Sequence, residues 1–233
     1  MQPPVQPALS HGEFESWLSQ PRADRYLSHC NGDIAVAIEL YFWNSRLAAA
    51  AFSDTCHLEV ALRNAYDRQL SARYPDWAVD PASDLFTRTQ GIQAAVRKQA
   101  ELNRRSQQAL VDARRGLGSN PQHGKVVAAM TFGFWTKMTD HPRTALFWNP
   151  MLSRAFAGSP QRAAVHELVS RINKFRNRLA HNEPVFSTRT GLHDRLADAE
   201  ALLNLISPAT AAVVKANSPV PAIMASCPVS NLV

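Results

Sequence analysis

The sequence predicts an all-α fold. Apolar residues recur at three- and four-residue intervals through most of its 233 positions, and no convincing run of alternating β-branched residues interrupts them. The periodic stretches are separated by Pro, Gly and Asn-Gly breaks, which mark turns and loops.

The elements follow in order. GEFESWLS reads as a short amphipathic helix, and a second begins at Pro21. Asn31-Gly32 then breaks the chain, and Asp33 is a suitable N-cap for a long helical pattern that reaches about Arg73. A joint is expected in it near Ser53-Asp54. Ile38, Tyr41, Phe42, Ser45 and Ala48–Ala49 share one face of its first half, and Leu58, Ala61, Leu62, Ala65 and Gln69 one side of the second. YPDWAVDPASD is a loop. A polar helix is expected from about Thr89 to Arg115, closed by Gly116-Leu117-Gly118. HGKVVAAMTFGFWTKM reads as an apolar helix, and HPRTALFWNPML as a short helix and turn. A helix from about Pro160 to His181 or Asn182 carries an unbroken stripe of Val165, Leu168, Ile172, Phe175 and Leu179. A last helix is expected from about Thr190 to Ile206.

This pattern places a single all-α domain at residues 11–207. MQPPVQPALS at the start and SPVPAIMASCPVSNLV at the end are rich in Pro and Ser and lack charge or period, so 1–10 and 208–233 are expected to be loosely ordered tails. A hydrophobic fraction of 45% suffices for a sizeable core. No signal peptide is expected, because prolines stand where a basic and then apolar leader would. The longest apolar run, Val126–Trp135, is about ten residues, half of the roughly 20 that span a bilayer, so no membrane partner is expected. Three widely spaced cysteines (Cys30, Cys56, Cys227) argue against a disulfide framework and suit a cytoplasmic location.

The net charge is +6 and the isoelectric point about 9.6, which favours an anionic partner. Of 25 Lys and Arg only five are Lys, so 20 are arginines, whose planar fork matches phosphate. A GC-rich genome would also enrich Arg together with Ala, as here. Arg97, Arg104 and Arg115, spaced 7 and 11 apart, fall near one stripe of the polar helix, with Lys98 and Arg105 beside it. That stripe is either a solvated face or a strip that tracks a nucleic-acid backbone.

Most standard chemistry is missing. There is no GxGxxG, P-loop or GxSxG. His166-Glu167 begins like a zinc-protease motif, but Ser170 takes the second ligand position, and the remaining histidines lack ligand spacing, so no metal and no cofactor is expected. Two polar clusters remain. In EVALRN, Glu59 and Arg63 are i, i+4 in the favourable order for an ion pair, and Arg63 and Asn64 interrupt an apolar helix. The cluster is either a buried pair that fixes packing or a polar layer beside a site. In KFRNRLAHNEPVF, Arg176, Asn177, Arg178 and His181 gather where Pro184 ends the helix. Asn177 and His181 are i, i+4, so the amide can orient the imidazole. Arg176 is nominally 140° from His181 around the helix, so a shared site requires local unwinding, side-chain reach or a two-fold dimer that pools both residues. The competing explanation is complementation of the helix dipole by cations.

The spacing Arg176–His181, with polar Asn177 after the Arg, resembles that of bacterial Abi-like (abortive infection) proteins of the HEPN superfamily. The resemblance extends over LYFWNSRLAAAAF (Leu40–Phe52), EVALRN (Glu59–Asn64), Asp76-Trp77, MTFGFW (Met130–Trp135), the turn Trp148–Leu152 and FRNRLAHNEPVF. Many relatives read AHHEP where this chain has Asn182. The resemblance implies a HEPN-like helical bundle with additional helices, and a metal-independent endoribonuclease used as a toxin or phage-defence effector. It also implies an active site at the interface of a homodimer. Arg176, Asn177 and His181 are the implied catalytic group, with Arg178, Arg63, Asn64 and Glu59 as candidate substrate-binding residues. RNA is the implied partner. A regulatory module on the same fold, or one half of a toxin–antitoxin pair with a protein antitoxin, are the rival readings.

Overall fold

The structure is a computed structural model that describes residues 9–80, 82–186, 191–230 and 232. Among these residues all regular structure is helical and no strand is present, as the periodicity requires. The chain folds as two compact units, Met1–Ser53 with Asn177–Asp194 and Ser218–Val233, and Asp54–Arg176 with Arg195–Asn217.

The first unit opens with α1 (His11–Leu18) and α2 (Gln20–Leu27). Ser10 caps α1 in a reciprocal box: its hydroxyl accepts from the Glu13 N–H, and the Glu13 carboxylate accepts from the Ser10 N–H. Of the expected tail 1–10, residues 1–8 lie outside the described residues. Asp33 Oδ1 accepts from the Ala35 and Val36 amides and starts α3 (Ile34–Ser71), as expected of an N-cap. Phe14, Tyr26, Leu40, Trp43 and Val185 are fully buried in this unit.

α3 is one helix of 38 residues, about 57 Å long at 1.5 Å per residue. The joint expected at Ser53-Asp54 does not form. No Gly or Pro lies between Ile34 and Ser71, so nothing there removes a backbone hydrogen bond. The two compact units nevertheless divide between these two residues.

The second unit continues with α4 (Gln93–Arg114), which begins only after Gly91 at φ +103°. The single apolar helix expected over HGKVVAAMTFGFWTKM is two, α5 (His123–Ala129) and α6 (Phe132–Lys137). Thr131 makes the break: it is extended, and its hydroxyl accepts from the Phe134 N–H, so it serves α6 as N-cap instead of continuing α5. Short 3₁₀ and π turns occupy 141–155. α7 (Arg162–Ala180), α8 (Leu192–Ile206) and α9 (Pro208–Asn217) follow. The expected start of α8 at Thr190 lies outside the described residues. The core holds Trp77, Trp135, Tyr66, Phe132, Phe147 and Ile172, with the rings of Trp77 and Phe134 parallel at 6.3 Å.

The C-terminal segment is not the loose tail expected. It contains α9 and α10 (Val220–Ala225). Its prolines misled the pattern: Pro208 opens α9 and Pro221 lies in the first turn of α10, where a missing N–H costs no helical bond. Within the first unit, Trp43 Nε1 donates to the Ile223 carbonyl at 2.7 Å, and Val220 is buried.

Among the described residues no helix is long and apolar enough to cross a membrane.

Candidate functional site

The last turn of α7 is a built terminus. The His181 N–H still donates to the Asn177 carbonyl (3.1 Å), while the Asn182 N–H reaches Leu179 O (3.0 Å) and the Glu183 N–H reaches Arg178 O (3.0 Å). Those last two bonds form a Schellman motif with His181 at the C-cap and Asn182 in the left-handed position, at φ +49°. Asn is one of the few residues that accept this conformation at low cost. Pro184 then prevents the helix from resuming.

The first unit clamps this turn from several sides. Asn182 Nδ2 donates to Ser45 Oγ at 2.9 Å and lies 3.5 Å from the Tyr41 hydroxyl. Arg22 Nη2 donates to the His181 carbonyl at 3.0 Å. Asn44, fully buried, accepts from the Val185 N–H (2.9 Å) through Oδ1 and donates to the Glu183 carbonyl (3.4 Å) through Nδ2. One side chain thereby satisfies two backbone groups of an irregular segment whose Val185 end is buried. The His181 imidazole is left exposed, with no hydrogen bond among the described residues.

The expected side-chain bond from Asn177 to His181 is absent among the described residues. Asn177 is exposed, and what links the two positions is the backbone bond. Arg178, expected to hold substrate, pairs with Glu183, Nε to Oε2 at 3.2 Å.

In the second unit, Arg176 and Glu59 come together electrostatically. The Glu59 carboxyl is half-buried on α3, and burial raises it above the ordinary carboxylate range; the positive charge of Arg176 opposes this first, and that of Arg63 next. Arg176 acts in the same sense on the nearby Cys56 thiol, which burial and then the Glu59 charge push up. The expected Glu59–Arg63 ion pair does not form within 4 Å among the described residues. Arg63 Nη1 donates instead to the Ala128 carbonyl (3.2 Å), an acceptor that the end of α5 leaves open. Asn64 is exposed and joins no cluster among the described residues. Of the EVALRN group, then, Glu59 stands with Arg176, and Arg63 ties α3 to α5.

The residues that the sequence alone did not single out for the site are Arg22, Tyr41, Asn44 and Ser45. A signal for Asn44 was present: a polar amide flanked by Trp43 and followed by Leu47, in a run otherwise periodic for burial.

A family model described as Abi-like protein matches residues 12–187, three quarters of the chain, including Arg22, Tyr41–Ser45, Glu59 and Arg176–Phe186. The chain belongs to the Abi-like protein family. Two blocks that resembled Abi-like proteins in sequence, LYFWNSR and AHNEPVF, are those that bond to one another in the first unit through Tyr41, Asn44 and Ser45. No curated protein and no solved structure matches the chain.

Proposed function

We propose that this Abi-like protein is a metal-independent endoribonuclease that serves in abortive infection, acts on RNA in the cytoplasm, and works as a homodimer of HEPN type. The observation that carries the reading is the family match over the RNRLAH segment, in which the Schellman stop leaves the His181 ring exposed. An exposed imidazole is within reach of a substrate proton and can serve as a general base.

In this reading His181 takes the proton of the RNA 2′-hydroxyl, whose oxygen attacks the adjacent phosphorus. The bond from phosphorus to the 5′-oxygen of the next nucleotide breaks and that oxygen takes a proton from water, giving a 2′,3′-cyclic phosphate and a 5′-hydroxyl. Arg176 supplies positive charge to the phosphorane, and Glu59 orients its guanidinium. Asn182 stands where many relatives carry a second His; its work in this chain is the turn, and no proton transfer falls to it. Arg178, held by Glu183, is a lesser contributor than Arg176.

The test is cleavage in EDTA. His181→Ala is expected to lose about 10²–10⁴ in rate, with end-group analysis giving the cyclic phosphate in wild type. Cleavage only on addition of Mg²⁺, or an equally active His181→Ala, overturns the mechanism. RNA binding without cleavage by wild type would favour a regulatory module, and growth arrest relieved by a co-expressed small protein would favour a toxin with an antitoxin.

A further inference from the structure

The two compact units differ in charge. The segments of the first carry 5 Lys and Arg against 7 Asp and Glu; those of the second carry 20 against 12. The whole positive excess therefore belongs to the second unit, and Arg97, Lys98, Arg104 and Arg105 are exposed on α4.

α4 is anchored by an unusual inner face. Gln99, Asn103 and Ser106 are buried, and each is held by a directed bond. Gln99 accepts from the Gln90 N–H and donates to the Pro142 carbonyl, Asn103 donates to the Arg88 carbonyl, and Ser106 accepts from Arg143. Hydrogen bonds are directional, so this face fixes the rotation of the helix about its axis more narrowly than apolar packing would. The outer face is fixed with it.

On that outer face Arg97, Lys98 and Arg104 are exposed and make no ion pair or hydrogen bond among the described residues. Arg105 is paired to Glu101, and Arg115 to Asp112 at 3.2 Å, so the two carboxylates of α4 are already engaged. Both pairs lie in solvent, where such pairing is weak and readily exchanged. Arg97, Arg104 and Arg115 align to within about 20° around the axis over roughly 27 Å. Val111 is the one large apolar side chain exposed within α4. A protein partner would need apolar or aromatic anchors at the centre of its interface, whereas a row of guanidinium groups without them suits phosphates.

We propose that the row Arg97, Arg104 and Arg115, the last at the C-cap of α4, with Lys98 beside it, binds the sugar–phosphate backbone of single-stranded RNA through side chains that take no part in the cleavage step. This rests on the reading of RNA as the substrate. The row touches backbone and not bases, so it adds affinity without base sequence preference.

The experiment uses the full chain carrying His181→Ala and a labelled single-stranded RNA of mixed sequence, with affinity measured over a salt series. Adding Arg97→Gln, Lys98→Gln and Arg104→Gln together is expected to weaken binding at least tenfold and to flatten the log–log salt slope by about 2, because each phosphate left without its cation removes roughly 0.7 from the slope. The comparison variant, Arg68→Gln with Lys125→Gln and Arg154→Gln, removes equal charge from exposed positions elsewhere in the same unit and is expected to leave the slope within a fraction of a unit. An unchanged slope in the α4 variant, or an equal loss in the comparison variant, overturns the proposal. Wild-type cleavage in EDTA is scored separately: no cleavage with a row-dependent slope refutes the nuclease and keeps the row, and cleavage with a row-independent slope does the reverse.

Discussion

Asn182 shows how much one residue decides at this terminus. Its φ of +49° costs an ordinary L-residue about 1 kcal/mol or more, and its amide also holds Ser45. Asn182→Ala is therefore expected to lose about 2 kcal/mol, the sum of that strain and a hydrogen bond worth about 1. Asn182→Gly, free of the strain, should lose only about half as much. Chemical denaturation of the two variants checks the order; equal losses would mean that the left-handed turn carries no strain. At Glu59 the cost is electrostatic. Its folded-state pKa lies above the ordinary 4.5 because burial disfavours the charged form. Below 4.5 the carboxyl is protonated in both states and costs nothing; as pH rises through the raised value, the unfolded state sheds its proton more readily and stability is lost. Glu59→Gln should thus raise the thermal midpoint slightly at pH 7, and the gain should vanish near pH 4. A gain that persists at pH 4 would show that packing, and not charge, is responsible. A carboxylate kept at such a cost beside Arg176 is what a positioning role for Glu59 would require.

At the scale of elements, most helices could be read from periodicity, and the misreadings share a cause. Ser53-Asp54 in α3 and Thr131 between α5 and α6 are both polar interruptions of a helical pattern. Only the second ends a helix, because its hydroxyl finds the free amide of Phe134, while no Gly or Pro interrupts the ladder of α3. The prolines of α9 and α10 suggested disorder, yet sit in first turns, where they favour helix. Composition over a window records how many breakers there are, and position within the turn decides what they do. The α4 stripe was legible as a spacing of 7 and 11. That its inner face is polar and hydrogen-bonded was not, because Gln99, Asn103 and Ser106 look like surface residues until Pro142, Arg88 and Arg143 are brought against them.

At the scale of the whole molecule, Arg176 and His181 must meet for the proposed chemistry. The two are 140° apart by helical register and belong to different compact units. If two copies pool these residues across a two-fold axis, mixing inactive Arg176→Ala with inactive His181→Ala should restore part of the wild-type rate, up to about half in the heterodimer fraction, since one of its two composite sites is intact. Cleavage assays on the co-refolded mixture test this. No recovery, with heterodimers shown to form, would place both residues in service of a single chain.

The sequence alone determined the all-α class, the family, and the crowding of Arg, Asn and His before Pro184, since each depends on local period or short spacing. Only the tertiary structure decided which polar residues meet. It gave Glu59 to Arg176, Arg63 to the end of α5, Arg178 to Glu183, and the turn at Asn182 to Asn44, Ser45 and Tyr41. An ionic or amide side chain has several partners within its reach along a helix, and the choice falls to whichever open carbonyl or buried amide the fold brings near, which no spacing in the chain records.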